Sequence, residues 1–405
     1  MSGIGPSRPV YEIADIFRRY GEAFQAKYAS FLQPLHLLVL KALAACRTAQ
    51  LGGHVLQCDH CGHQKQAYNS CHNRHCPKCQ ANLRGQWFEE RQRDLLPVEY
   101  FHVVFTLPDE LGPFALQDKQ LIYNLLFRAT SETLLEAAAG WKDLQAKIGF
   151  FAILHTWGQK LDLHPHLHCV VPGGGVSLDG TRWVSCPRGF FMPVKLLSRM
   201  FRGKFLAYLK QAHRRGELTC AGRLQSLASH AAFNRWLTPL YQKSWVVYAK
   251  PPWNGPECAL KYLARYTHRV AIANSRIQAI DNGQVSFTYK DYRKSQCRRT
   301  LTLNATEFIR RFMMHVLPNG FVRIRYFGFL ANTHRKEQLQ MIRKLLNVPQ
   351  SEAEDLEDRP EEQQHELTLP DQRCPHCKEG LMWPIDMAPR PRLSEILNFP
   401  LLVPT

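Results

Sequence analysis

The residues with the clearest chemical potential are His164, His166 and His168, in the run His164-Pro165-His166-Leu167-His168. In a β-strand, residues i, i+2 and i+4 share a face. His166 and His168, with His164 able to join them, therefore aim imidazoles at one point while Leu167 and Cys169 face a core. Histidine is the commonest metal ligand near neutral pH, so the spacing predicts a metal site. Surface histidines on a loop are the plain alternative, which leaves unexplained their alternation with apolar residues just before Val170-Val171. Upstream, Gly149 to Trp157 reads as an apolar strand in which His155, Trp157 and Gln159 share parity. Paired antiparallel with the histidine strand, it can bring Gln159 to His166 and His168. Two imidazoles and one oxygen donor leave positions open for a phosphate oxygen.

A second constellation is Tyr262-Leu263-Ala264-Arg265-Tyr266-Thr267-His268-Arg269. A spacing of four puts both tyrosines on one helical face, with Lys261, Arg265 and Arg269 in an adjacent stripe. Tyrosines so spaced more often pack a core, but a cationic flank suits phosphates held beside nucleophilic hydroxyls. The third feature is Cys58-x-x-Cys61 and Cys76-x-x-Cys79, with 14 residues between the pairs. Two such knuckles suit structural zinc, each short turn bringing two thiolates to one ion. Cys71, His54, His60, His63, His72 and His75 lie close by, so the ligand set stays open and there is room for a second ion. Arg74, Lys78 and Arg84 give the module a basic rim. Cys374-Pro375-His376-Cys377 is half a knuckle with no obvious second half.

These residues need a frame. Residues 10–48 carry two helical stripes broken near Pro34, read as bracing helices. Phe101 to Leu107 reads as a buried strand and 115–139 as a helix; residues 176–240 add a turn at Asp179-Gly180 and basic helical stretches. Trp245 to Tyr248 is a strand, Asn282-Gly283 marks a hairpin, Asn304 caps a helix running to His315, Phe321 to Tyr326 alternates as a strand, and Thr333 to Leu346 is helical. Gly173 to Gly175 is a turn after the histidine strand, a phosphate cradle being the weaker reading. The fold expected is α+β: a zinc module on a mainly antiparallel sheet, helices on one face, and the tyrosine helix across the metal strands.

The chain has 405 residues, enough for two or three units and a sizeable core. Its net charge of +18 implies a polyanionic partner. The excess is concentrated between residues 261 and 346, with 17 Lys and Arg against 4 Asp and Glu. No stretch reads as a signal peptide. The best membrane candidate, Phe31 to Cys46, is broken by Gln33, Pro34, His36 and Lys41 and is shorter than the roughly 20 residues a span needs. A soluble cytoplasmic protein is expected, in which 13 cysteines serve as thiols and zinc ligands rather than disulfides. Ser351 to Glu366 holds 8 acidic residues and one arginine, the composition of a disordered linker.

Taken together, "NRHCPKCQ", "HTWGQKLDLHPHLHCVVPGGG" from His155, "YLARYTHRVAIANSRI" from Tyr262 and "RYFGFLANTHR" from Arg325 resemble the HUH-type, two-tyrosine rolling-circle transposases of bacterial insertion sequences. The resemblance spans most of residues 50–346, and the joint order of the motifs is highly specific. It implies an HUH nuclease core in which His166-Leu167-His168 is the metal motif and Tyr262 and Tyr266 are the nucleophiles. Gln159 falls where related nucleases complete the metal site, with His164 and His155 competing for that place. The implied units are a helical segment (1–50), a zinc-binding domain (51–95), a transposase domain with a basic platform (96–346), the acidic linker (347–370) and a tail with a lone C-x-x-C (371–405).

The implied chemistry is metal-dependent nicking of single-stranded transposon ends, with Mg²⁺ or Mn²⁺ as cofactor beside the structural Zn²⁺. A 5′-phosphotyrosine and a free 3′-hydroxyl would result, followed by transfer to target DNA with the host replication machinery. Lys261, Arg265 and Arg269 would hold DNA, and the protein would join the nucleoid when bound. A phosphate-binding G-x-x-x-x-G-K-[ST] loop is absent from the sequence, in keeping with chemistry that conserves phosphodiester energy without ATP. The alternatives are a plasmid replication initiator or relaxase of the same superfamily, and a non-enzymatic zinc-dependent nucleic-acid binder. Oligomeric state, DNA sequence and order of tyrosine use are not legible.

Overall fold

A computed structural model of the chain describes residues 9–250, 271–291, 297–348, 373–399 and 401. α1 (Ile13–Lys27) and α2 (Pro34–Ala45) come first, Pro34 opening α2 where its missing N–H costs no helical bond. A hairpin of β1 (Gly53–Cys58) and β2 (Gln64–Tyr68) leads to α3 (Pro77–Gln92), whose N-cap is Cys76. β3 (Tyr100–Thr106), α4 (Gly112–Gln117) and the long α5 (Lys119–Gly140) follow. Then come β4 (Ala146–Lys147), β5 (Gly149–Trp157), β6 (Leu163–Pro172), β7 (Gly174–Ser177) and β8 (Trp183–Ser185). α6 (Val194–Arg214) and α7 (His230–Gln242) precede β9 (Val247–Lys250).

After residue 271 the chain forms β10 (Ile277–Asp281), β11 (Gln284–Asp291) and β12 (Cys297–Asn304). α8 (Ala305–Met314), β13 (Ile324–Gly328) and α9 (Arg335–Leu345) come next. β14 (Met382–Ala388) and α10 (Leu393–Leu397) lie near the C-terminus. The combination of helices with antiparallel sheets is the α+β architecture expected.

The central sheet has the order β13-β5-β6-β3-β9, every neighbouring pair antiparallel. Period-two alternation divides its faces. Phe101, Val103 and Phe105 of β3, Phe150, Ala152 and Leu154 of β5, and Leu167, Cys169 and Val171 of β6 join Ile122, Leu126, Phe201 and Phe205 from α5 and α6 in the largest core. The residues between them, His102, His155, His166 and His168 among others, are consigned to the opposite face. There Phe151, Ile153, Tyr100 and Val170 pack with Trp87 of α3, so part of that face is apolar and the histidines occupy the rest.

A second core joins α1, α2 and α8 to the sheet β10-β11-β12. Asn282-Gly283 closes its first hairpin with φ of 47° and 73°, the left-handed pair that this turn requires. Asn304 caps α8 as expected, its Oδ1 accepting the Thr306 N–H at 3.0 Å. Gly174 and Gly175 lie inside β7 between β4 and β8. A Cβ on Gly174 would sit 2.5 Å from the Val184 carbonyl oxygen and one on Gly175 2.6 Å from that of Lys147. These glycines serve close strand packing, and the crowding leaves no room for a phosphate cradle.

The C-terminal residues expected as a separate tail are docked: β14 pairs antiparallel with β1 from Cys58↔Met382 to Gly53↔Ala388. The acidic stretch 351–366 and the segment carrying Lys261, Tyr262, Arg265, Tyr266 and Arg269 lie outside the described residues. Among the described residues no helix is long and apolar enough to cross a membrane.

Candidate metal centre and cysteine clusters

β5 and β6 are in register with His155 opposite His166 and Ile153 opposite His168. Three imidazoles thereby meet. One ring nitrogen from each of His155, His166 and His168 lies within 4.8 Å of the others, and the Nε2 atoms of His166 and His168 are 3.1 Å apart. Two ligands each about 2.1 Å from one ion, at a right angle, would be about 3 Å apart. His155 is buried and Trp157 stacks on it at 4.5 Å, while His166 and His168 stay half-buried and open to a ligand.

The outer contacts fix the rings. His166 Nδ1–H donates to the His164 carbonyl at 2.6 Å, which leaves Nε2 unprotonated. His168 Nδ1 is 2.6 Å from His102 Nε2 on β3, the two rings stacked at 4.9 Å. A metal on His168 Nε2 would leave the proton of that ring on Nδ1, where His102 Nε2 is placed to accept it. Desolvation, then the neighbouring His164, holds His166 at about 4. Burial, then His155, keeps His168 well below the usual imidazole range. His102 is lowered to about 3 by burial and then by Lys250, its register partner on β9. Neutral imidazoles are the form that binds metal.

Gln159 is not brought to this group. β5 ends at Trp157, and Gln159 lies in the turn that follows, so strand parity stops applying to it. Its Oε1 accepts the Lys290 N–H at 3.3 Å, and its carbonyl accepts from Arg276 at 2.6 Å. His155 stands where Gln159 was expected. The His164 ring packs beside that of His166 at 5.2 Å, but its Nδ1 is 4.0 Å from Asp109 and it is not one of the three clustered imidazoles; it contributes its carbonyl instead. His102 was not foreseen, because only the strand order places β3 beside β6.

The four cysteines expected around one zinc are divided. Cys76 and Cys79 join Cys46 and Cys71, with Sγ–Sγ distances of 3.8 Å for Cys46–Cys79, 3.6 Å for Cys71–Cys79 and 3.6 Å for Cys46–Cys76. Cys58 and Cys61 join Cys374 and Cys377. A tetrahedral site with Zn–S near 2.3 Å spaces its sulfurs about 3.8 Å apart, so the first quartet has the dimensions of a zinc site. The reason for the division is topological: β1 carries Cys58 away from the N-terminus of α3, where Cys76 and Cys79 face the end of α2 and Cys46.

Comparison with known proteins decides the lineage. Residues 149–338 match a family model described as "Putative transposase", and residues 16–107 match one described as "Transposase zinc-binding domain". The chain is 52% identical over 379 residues to "Putative transposase y4qJ" of Sinorhizobium fredii (strain NBRC 101917 / NGR234), covering 93% of this chain and 95% of that protein. The chain belongs to this family of transposases. It is also 30% identical over 304 residues to "Transposase for insertion sequence element IS801" of Pseudomonas savastanoi pv. phaseolicola, covering 74% of this chain and 72% of the relative. No solved structure matches. The transposase match takes in β5, β6 and hence His155, His166 and His168, while Cys46, Cys71, Cys76 and Cys79 fall within the zinc-binding match.

Proposed function

We propose that this transposase nicks single-stranded DNA at the ends of its element by tyrosine attack, with Tyr262 and Tyr266 as nucleophiles and a divalent ion held by His155, His166 and His168. The observation that carries the reading is the convergence of three imidazoles on one sheet face. The described elements on either side agree with it: Lys250 ends β9, two strands from β6, and Ala271 packs in one core with Leu161 and Trp157, at the end of the β5 histidine strand.

A tyrosine phenol, with a reference pKa of about 10, is mostly protonated at neutral pH and needs assistance to attack a phosphodiester. A divalent ion held by His155, His166 and His168 would supply it by polarising the scissile phosphate and stabilising the developing charge. The phenolic oxygen bonds to phosphorus as the 3′ oxygen leaves. The leaving oxygen takes up a proton as the phenol loses one, giving a 5′-phosphotyrosine and a free 3′-hydroxyl. That hydroxyl primes synthesis by the host replication machinery, and the second tyrosine takes another strand, joining donor end to target DNA. Lys261, Arg265 and Arg269 hold neighbouring phosphates. Cys46, Cys71, Cys76 and Cys79 hold the structural zinc of the zinc-binding domain. With Gln159 directed elsewhere the donor set is all nitrogen, and Mg²⁺, a hard cation that takes oxygen ligands, suits it less well than Mn²⁺.

Incubation with a single-stranded terminal oligonucleotide and Mn²⁺ should give an SDS-resistant complex, lost in the Tyr262→Phe/Tyr266→Phe double variant and in His166→Ala. Retention of the complex in the double variant would overturn the chemistry. Binding without any covalent complex would favour a non-enzymatic nucleic-acid binder.

A further inference from the structure

Cys374 and Cys377 are separated from Cys61 and Cys58 by 313 and 319 residues, yet the four thiols converge. Cys58 Sγ is 3.7 Å from Cys377 Sγ, Cys61 Sγ is 3.6 Å from Cys374 Sγ, and all four sulfurs lie within 4.8 Å of one another. A disulfide requires about 2.05 Å, whereas thiolates on one tetrahedral zinc stand about 3.8 Å apart. Backbone N–H groups point at the sulfurs as in zinc knuckles: Cys61 to Cys58 at 3.5 Å, His376 to Cys374 at 3.4 Å, and Gly380 to Cys377 at 3.4 Å. Gly380 is where the halves touch. A Cβ there would lie 2.5 Å from Cys58 Sγ and 2.6 Å from Asp59 Oδ1, so a side chain would hold them apart.

What this quartet holds is β14, the strand the C-terminal segment adds to β1. Met382 is buried, but the other six residues of β14 are exposed, Trp383, Ile385 and Met387 included. Apolar burial therefore contributes little to keeping the strand in place. Its register puts Met382 opposite Cys58, directly beside the thiols. Beyond β14, Arg390 donates to the Cys71 carbonyl at 2.6 Å, and Ile396 and Leu401 are buried with α1 and α2. The segment thus runs from one cysteine quartet to the other. Residues 373–399 lie outside both family matches, which end at 107 and 338.

We infer that Cys58, Cys61, Cys374 and Cys377 form a second structural zinc site, and that its ion is the clasp fixing β14 onto the N-terminal hairpin. The clasp stands apart from the tyrosine chemistry. Zinc analysis of the full chain and of a Cys374→Ser/Cys377→Ser variant tests it, with hydrogen exchange of the 382–388 amides read in parallel. The variant should lose one zinc equivalent and the protection of these amides while α2 and α3 stay protected. Cys377→His, which keeps a ligand, should retain both. Cobalt loaded in place of zinc should lose about half its thiolate charge-transfer intensity in the Ser variant and little in the His variant. Unchanged zinc content would overturn the site, and zinc loss without faster exchange in β14 would overturn the clasp. Should the Ser variant be insoluble, stepwise chelation of the natural chain decides: zinc release must coincide with exposure of β14, and release without exposure contradicts the inference.

Discussion

At the scale of residues, the imidazoles differ in what they contribute. His155, His166 and His168 present nitrogens to one point, whereas His102 acts through His168, its Nε2 placed to accept the Nδ1–H of a metal-bound His168. His102→Phe keeps a ring in the stacked position but removes the acceptor. It should weaken Mn²⁺ binding by about 10–100-fold, the usual cost of losing an outer partner of a metal-bound histidine, without changing zinc content. Unchanged Mn²⁺ affinity in a titration would show that the His102–His168 contact orients nothing. Gln159→Ala should leave that affinity where it was, since its amide is engaged with Lys290. The pair His166 and His168 was legible in the sequence because a period of two is local to one strand. His155 over Gln159 was not, because the choice depends on where β5 ends. His102 required knowing which strand is the neighbour of β6.

At the scale of elements, the same contrast runs through the cysteines and glycines. A C-x-x-C turn identifies two ligands of a site but not the other two. Cys46, at the end of α2, has no motif of its own, and Cys374-x-x-Cys377 finds its partner pair only through the pairing of β14 with β1. Cys46→Ser should therefore cost as much zinc as Cys79→Ser, measured by metal content of the purified chain. Full retention of zinc in Cys46→Ser would remove it from the ligand set. The hairpin at Asn282-Gly283 and the cap at Asn304 were legible because turn and cap chemistry are local. The glycine run after β6 reads as a turn in the sequence, whereas Gly174 and Gly175 belong to strand β7, because β4 and β8 close on either side of it. Gly175→Ala should lower stability by about 1–3 kcal/mol in urea unfolding, as overpacking does, because backbone and the Ala146 side chain surround the position. A neutral outcome would mean that the β4-β7-β8 sheet yields without cost.

At the scale of the whole molecule, burial and charge govern behaviour in solution. His102 and His315 are buried as neutral rings, each lowered by burial to about 3. Leu161 accepts the Nε2–H of His315 and Thr156 donates to its Nδ1, at 3.3 Å and 3.1 Å. In the unfolded chain both titrate near 6.5, so between that value and about 3 the unfolded state binds more protons. Stability is then full above pH 6.5 and is lost on acidification, by up to about 1.4 kcal/mol per pH unit for each group. The urea midpoint should fall from pH 7 to pH 5, and less steeply in His315→Gln; a midpoint that rises on acidification would contradict these environments. The net charge of +18 adds a salt-sensitive attraction for DNA. It does not distinguish a binder from an enzyme; the fate of the tyrosines does. Trypsin cuts after Lys261, Arg265 and Arg269, and so delivers Tyr262 and Tyr266 in separate peptides, 262–265 and 266–269. Mass spectrometry of the digested complex formed with a single-stranded terminal oligonucleotide and Mn²⁺ should find nucleotide mass on one or both of these peptides, and on neither with His166→Ala. Nucleotide attached to any other residue, or no attachment by a protein that binds Mn²⁺ at its histidines, would rule out Tyr262 and Tyr266 as the nucleophiles.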